Sequence, residues 1–359
     1  MAVFMLAAAL LLAFANGAND NFKGFATVWG ARTLSFRAAS LWAAFATAAG
    51  SVASVVLAHG LIRQFSGKGL VGDTVVADPN FLAAVAVGAA MTVAGATRLA
   101  LPISTTHALV GGLLGAGLAA GSVNAGALAA LFVAPLLLSP LVSAALAFVA
   151  QAIMGPRLRQ TDCLCLIEGA GASASGGPLA LSRAGAVSAV VAHHETCERI
   201  VHPHLRFSVG AIRDRVHIAS AASVCFARSV NDTPKLAALL VGAQALGGAG
   251  PAALTAVAMV GGGLLFSRRV AETLSLRLNR LDPSQGLLAN LVTSALVLSA
   301  SAFALPVSTT HVAVGAIAGA GAHAKTLDWS AVRHVLLSWV STLPVAALCA
   351  WFAFRGLAG

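Results

Sequence analysis

Two short polar motifs in this sequence carry residues able to do chemistry, and each occurs twice. Asn19-Asp20-Asn21-Phe22-Lys23 recurs as Asn231-Asp232-Thr233-Pro234-Lys235, sharing N-D-x-x-K. Ser104-Thr105-Thr106-His107 recurs unchanged as Ser308-Thr309-Thr310-His311. The eighteen residues from Ala100 match those from Ala304 at twelve positions. A carboxylate beside a carboxamide is a ligand set for a cation, so Asn19-Asp20 and Asn231-Asp232 are candidates for a helix break where side chain and backbone bind an ion. The hydroxyls of Ser104, Thr105, Thr106, Ser308, Thr309 and Thr310 follow Pro102 and Pro306, where a helix can begin. Free N–H groups and the positive end of the helix dipole make such a start an anion site. His107 and His311 close each run, either orienting the site or packing as neutral rings. Lys23 and Lys235 stand three residues after Asp20 and Asp232, which makes them neighbours on a helix. Each ammonium either compensates its carboxylate as a bound cation would, contacts the anion, or snorkels to an interface. The motifs also have ordinary readings, because Asn-Asp caps helices and Ser and Thr bond back to their own helix. Duplication of both motifs in the same order weighs against those readings.

What must position these residues is a set of membrane helices. The chain is 58% hydrophobic and 9% charged, against about 25% charged in an ordinary globular domain. No Asp, Glu, Lys or Arg occurs from Leu99 to Pro156, or from Pro283 to Ala324. A bilayer core of about 30 Å needs about 20 apolar residues of helix, so each run holds at least two spans. The 36 glycines suit close helix packing through small residues, and continuous apolar runs argue against a β-barrel. The expected fold is an all-α polytopic membrane protein of two repeats, 1–154 and 215–359, joined by a polar linker at 155–214. Candidate passes in the first repeat run through Asn19–Asp20 and at about 38–61, 79–97, 99–120 and 126–154. Those in the second lie at about 216–248, 250–267, 284–303, 305–322 and 334–354. An odd number of passes inverts the second repeat, with broken or re-entrant helices at the site. The net charge of +10, from 22 basic and 12 acidic residues, reads as topology and not as nucleic-acid binding. Arg157, Arg159, Arg183, Arg199 and Arg206 put the linker in the cytoplasm, in a bacterial inner membrane.

The motifs GANDNFKG at 17–24, SVNDTPK at 229–235 and the two LP(I/V)STTH segments resemble those of the PiT family of inorganic phosphate transporters. The resemblance covers both halves and leaves out only the linker. It implies an inverted-repeat secondary transporter, not an enzyme, that takes up phosphate with Na⁺ or H⁺. It also implies cation handling on Asn19, Asp20, Asn231 and Asp232, with phosphate held by the six Ser and Thr residues of the STTH motifs. The family usually reads GANDxANA. Lys23 stands where an Asn is typical, and Lys235 likewise, so the coupling ion is open between H⁺ and Na⁺.

Cys163, Cys165, His193 and Cys197 in the linker are weak candidates for a Zn²⁺ site. Their spacing matches no standard finger, and Gly171–Pro178 is low-complexity sequence. The expectation is a disordered or loosely helical linker without a resident metal or other cofactor. Expected partners are inorganic phosphate and membrane lipid, with a homodimer as the candidate assembly and no nucleic acid. Three competing functions use the same residues: a permease for sulfate or another oxyanion, a passive anion channel, and an intramembrane hydrolase. The last would use Ser104 or Ser308 as nucleophile with the His three residues on. A set that occurs twice suits a pseudo-symmetric binding site better than one catalytic constellation.

Overall fold

The computed structural model describes residues 1–158, 162–168, 187–193, 205–242, 248–277, 282–325, 327 and 329–358. The first half contains α1 (Ala2–Asp20), α2 (Ala26–Gly30), α3 (Phe36–Leu57), α4 (Gly60–Phe65), α5 (Asp73–Val76), α6 (Pro79–Arg98) and α7 (Thr105–Ala119). It ends with α8 (Ala125–Leu128), a π-helical turn at Ala129–Val133, and α9 (Ala134–Leu158). The second half contains α10 (Val209–Gly242), α11 (Gly250–Phe266), α12 (Arg268–Glu272), α13 (Pro283–Ala302), α14 (Thr309–Ala324) and α15 (Trp329–Ala358). Five helices in each half fall where passes are expected: α1, α3, α6, α7 and α9, then α10, α11, α13, α14 and α15.

Among the described residues, six helices are long and apolar enough to cross a membrane, or seven if the pair from Gly250 to Ser275, bent by 65°, is one span. The shorter helices fall at the hydroxyl motifs, where broken or re-entrant segments are expected. With 15 and 16 residues, α7 and α14 reach about 22–24 Å at 1.5 Å per residue, short of a bilayer core. The 34-residue α10 carries Arg228, Asp232 and Lys235 along its middle, too much charge for an ordinary span.

The halves pack by exchange. Helix α1 lies on α6 and on α11 of the other half, while α10 lies on α13 and on α3. In the same way α7 packs on α15, and α14 packs on α9. Small residues permit this approach. A Cβ on Gly115 would run into the Ala347 carbonyl of α15, and one on Gly319 into the Ala144 carbonyl of α9.

Two expectations are corrected here. Helix α1 does end at Asp20, but α10 runs unbroken through Asn231–Lys235. Pro234 removes one helical N–H, yet Leu236, Ala237, Ala238, Leu239 and Leu240 are all buried, and that packing carries the helix on. In the first half Gly24 stands where the second has Leu236, and the chain turns there. The linker is also not disordered or loosely helical throughout. β1 (Asp162–Glu168) pairs antiparallel with β2 (Val187–His193) and β3 (Leu205–Ser208), in the order β2-β1-β3. Short Val-, Leu- and Ile-rich runs make these strands, a signal that the neighbouring Gly/Ser sequence obscures. Cys163 and Cys165 lie on β1, facing Ala192 and Val190 of β2 in register, and His193 pairs with Asp162. Cys197 lies outside the described residues.

Candidate functional site

Each hydroxyl motif sits at the tip of a helical hairpin. Helix α6 ends in a Schellman turn, with the Ala100 N–H donating to Thr97 O at 3.1 Å and the Leu101 N–H to Ala96 O at 2.9 Å. The end of α13 repeats this, from Ala304 to Ser301 O at 3.1 Å and from Leu305 to Ala300 O at 2.8 Å. Ala100 and Ala304 accordingly hold φ of 59° and 54°, the left-handed position usually given to glycine. Non-helical segments follow, carrying Pro102 and Pro306, and the next helices begin only at Thr105 and Thr309. The prolines therefore lie outside the first helical turn. Ser104 and Ser308 are the N-caps, their Oγ atoms accepting from the N–H of His107 at 3.1 Å and of His311 at 3.2 Å.

The two tips meet. Thr106 donates to Val307 O at 3.3 Å and Thr310 to Ile103 O at 2.9 Å. The rings of His107 and His311 lie 4.2 Å apart, and His311 stacks on Trp339 at 3.7 Å. Ser104 Oγ also contacts His107 Nδ1 at 2.9 Å, the pair that the hydrolase reading would use, but that hydroxyl is occupied in capping the helix.

The ND motifs hold these tips in place. Asn19 donates to Thr97 Oγ1 at 3.0 Å and to Leu101 O at 2.9 Å, and accepts from the Ile103 N–H at 3.1 Å. Asn231 donates to Val307 O at 3.3 Å and accepts from Ser301 at 3.2 Å. Both carboxamides thus grip the segment between the paired helices.

Between the tips lies a buried ionic cluster. Lys23 Nζ meets Asp20 Oδ1 at 2.5 Å, Ile103 O at 3.1 Å, and the Thr310 hydroxyl of the other half. Lys235 Nζ lies 3.5 Å from Asp232 Oδ1, and donates to Val307 O and to Thr106 Oγ1 of the other half, each at 2.8 Å. Neither lysine snorkels. Thr105 donates to Asp20 Oδ2 at 3.3 Å. The amide of Asn16 reaches Asp20 at 3.3 Å and Asp232 at 3.2 Å, linking the two carboxylates.

Sequence reasoning missed two members, Asn16 and Arg228. The Arg228 guanidinium donates to Asn16 Oδ1 at 2.9 Å, to Asn21 Oδ1 at 3.2 Å and to Thr47 Oγ1 at 3.0 Å, and lies 3.8 Å from Asp232. Its Nε is buried without a hydrogen-bond partner among the described residues. The signal was available: Arg228 precedes Asp232 by four residues, and aligning the two ND motifs sets it opposite Asn16. Asp20, Lys23, Arg228, Asp232 and Lys235 are each at most 5% exposed. Three cations face two carboxylates, so the cluster with every group ionised carries one uncompensated positive charge. A buried charge left without a partner is costly.

The sequence profile of the phosphate transporter family matches residues 16–350. The chain belongs to the phosphate transporter family. This member is 28% identical over 391 residues to a protein of Pyrococcus abyssi that bears the name of a phosphate permease, covering 96% of this chain and 95% of that one. It is 26% identical over 358 residues to a Rhizobium meliloti protein named for low-affinity inorganic phosphate transport, covering 96% and 93%. A solved structure of a sodium-dependent phosphate transporter superposes with a TM-score of 0.77 at 20% identity, over 99% of this chain and 98% of that one. At that identity the match establishes the fold. The family is one of transporters and not of enzymes, and its long apolar helices make this member an integral membrane protein.

Proposed function

We propose that this chain carries inorganic phosphate across the membrane as a cation-coupled secondary transporter. The observation that supports it most directly is the buried cluster of three cations and two carboxylates, set between helix starts whose threonine hydroxyls come from both halves. Phosphate is met by Thr105, Thr106, Thr309 and Thr310 and by the cationic groups of Lys23, Lys235 and Arg228. Ser104 and Ser308 serve as the caps that aim the helix starts. Asp20 and Asp232 are the coupling carboxylates, and Asn19 and Asn231 position them against the tips. In this reading the repeats, 1–154 and 215–359, have inverted topology and rock about the cluster. The 155–214 linker is cytoplasmic, the host membrane is the bacterial inner membrane, and a homodimer is the assembly.

The coupling cation we assign is H⁺. Each carboxylate already has an ammonium beside it, which takes the place that a coupling Na⁺ would need. Na⁺ is the second reading, favoured by the sodium dependence of the protein with the matching fold. Uptake of radiolabelled phosphate into proteoliposomes tests both. Saturable uptake driven by an imposed proton gradient, indifferent to Na⁺ and not inhibited by excess sulfate, is expected. Lys23→Asn should make uptake Na⁺-dependent. Absence of phosphate uptake under every gradient would end the phosphate reading, and an absolute Na⁺ requirement in the unmodified protein would end the proton assignment.

A further inference from the structure

The two halves differ in polarity where α10 packs on α13. This seam is lined by buried or half-buried polar groups. Thr27 Oγ1 lies 2.9 Å from His217 Nε2 and accepts from Asn290 at 3.1 Å, and Asn290 also donates to Ser220 at 3.3 Å. Ser223 and Ser294 follow, their hydroxyls 2.7 Å apart. His217 Nδ1 and Gln285 Oε1 are buried without a hydrogen-bond partner among the described residues. The equivalent seam of the first half, α1 on α6, is an internal control. Aligned on the repeated motifs, Met5 and Ala8 replace His217 and Ser220, while Phe81, Ala86 and Ala90 replace Gln285, Asn290 and Ser294. All five are buried and apolar. At these positions one seam is apolar and its twin is polar.

Buried polar groups inside a membrane protein are costly and mark functional paths. The polar seam begins near the start of α10, which follows directly on β3 of the linker. His217 and Asn290 share Thr27, so the start of α13 lies at that same end. The charged groups there include Arg213 and Asp214, paired at 3.1 Å, Arg215 next to them on α10, and Asp282 at the head of α13. Toward the centre the seam stops at an apolar layer of Ala227, Val297 and Val312. Beyond it lie Ser301, bonded to Asn231 at 3.2 Å, and then Asp232. The buried seam offers hydroxyls, an imidazole and two carboxamides, with no Lys or Arg among the residues named. That lining suits water and protons, and it lacks the cationic groups that the central cluster would offer phosphate.

We infer that the α10–α13 seam is a hydrated proton path joining the linker end of the molecule to the Asp232–Lys235 pair, gated by the Ala227–Val297–Val312 layer. Each water or hydroxyl accepts one proton and passes on another, so the path is unchanged by a transfer. The inference rests on the proton-coupled reading above, but its test does not require phosphate. Single cysteines at Ser220 and Ser294, and at their counterparts Ala8 and Ala90, are exposed in proteoliposomes to a small hydrophilic methanethiosulfonate. The unmodified protein supplies the background from its native cysteines. Ser220→Cys and Ser294→Cys should react about tenfold faster or more than Ala8→Cys and Ala90→Cys, since water reaches only the polar pair. Equal rates in the two pairs overturn the path. Val297→Asn, which wets the gating layer, should raise proton flux severalfold, read with an internal pH dye and no phosphate present. Unchanged flux in that folded variant overturns the gate. The expected labelling pattern in a protein that moves no phosphate would leave the path standing and remove the substrate reading instead.

Discussion

Arg228 is the residue on which the sign of the central cluster depends. Without it, two lysines face two aspartates and the charges cancel. With it, the cluster has one positive charge in excess and a guanidinium whose planar fork suits an oxyanion. Arg228→Gln should therefore weaken phosphate binding by about 1.5–3 kcal/mol, the range for a hydrogen bond to a charged group. Arg228→Lys, which keeps the charge without the fork, should lose less. Equilibrium binding of labelled phosphate to the purified variants measures both, and an unchanged affinity in Arg228→Gln would place the anion elsewhere. The lysines act differently, since each already has an aspartate of its own motif and a threonine of the opposite half.

The helical hairpin is the element that presents the hydroxyls, and its geometry follows from its caps. Ala100 and Ala304 hold a left-handed conformation that costs a residue with a Cβ about 1–2 kcal/mol. Ala100→Gly removes that strain but adds freedom to the unfolded chain, worth about 0.4–1 kcal/mol in the other direction. The expected balance is a small rise in the melting temperature of the solubilised protein, with transport retained. Gly115→Val is expected to do the opposite. Its side chain enters the Ala347 backbone, an overpacking that costs about 1–3 kcal/mol and separates α7 from α15. Thermal unfolding in detergent compares the two. A higher melting temperature for Gly115→Val would mean that α7 and α15 do not pack this closely.

For the whole molecule, the reciprocal packing of the halves is the organising feature. Neither repeat holds a complete site, because the threonine that meets each lysine belongs to the other repeat. Rocking of one repeat against the other would therefore break and remake both lysine–threonine contacts together, which links the site to the motion of the halves. Such motion has a sidedness that can be checked. A cysteine at position 176 should be labelled by a membrane-impermeant reagent only from the cytoplasmic side, and one at Gly72 only from outside. Labelling of both from one face would sink the inverted arrangement.

The sequence by itself determined what depends on local or periodic information. Apolar runs without charge declared the membrane helices, and the recurrence of N-D-x-x-K and STTH declared the duplication. The three-residue spacing from Asp to Lys set each pair within reach before any fold was known. The tertiary structure decided which groups of the two halves face each other. It alone joined Lys23 to Thr310 and Lys235 to Thr106, and brought Asn16 and Arg228 into the cluster. It also turned Asn19 toward the hairpin backbone and made Ser104 and Ser308 into caps. The unbroken α10 belongs to the same class, because burial of Leu236–Leu240 against distant helices outweighs the local signal of Pro234. Contacts between residues some 130 to 290 positions apart leave no trace in spacing, since they depend on how two similar halves interlock.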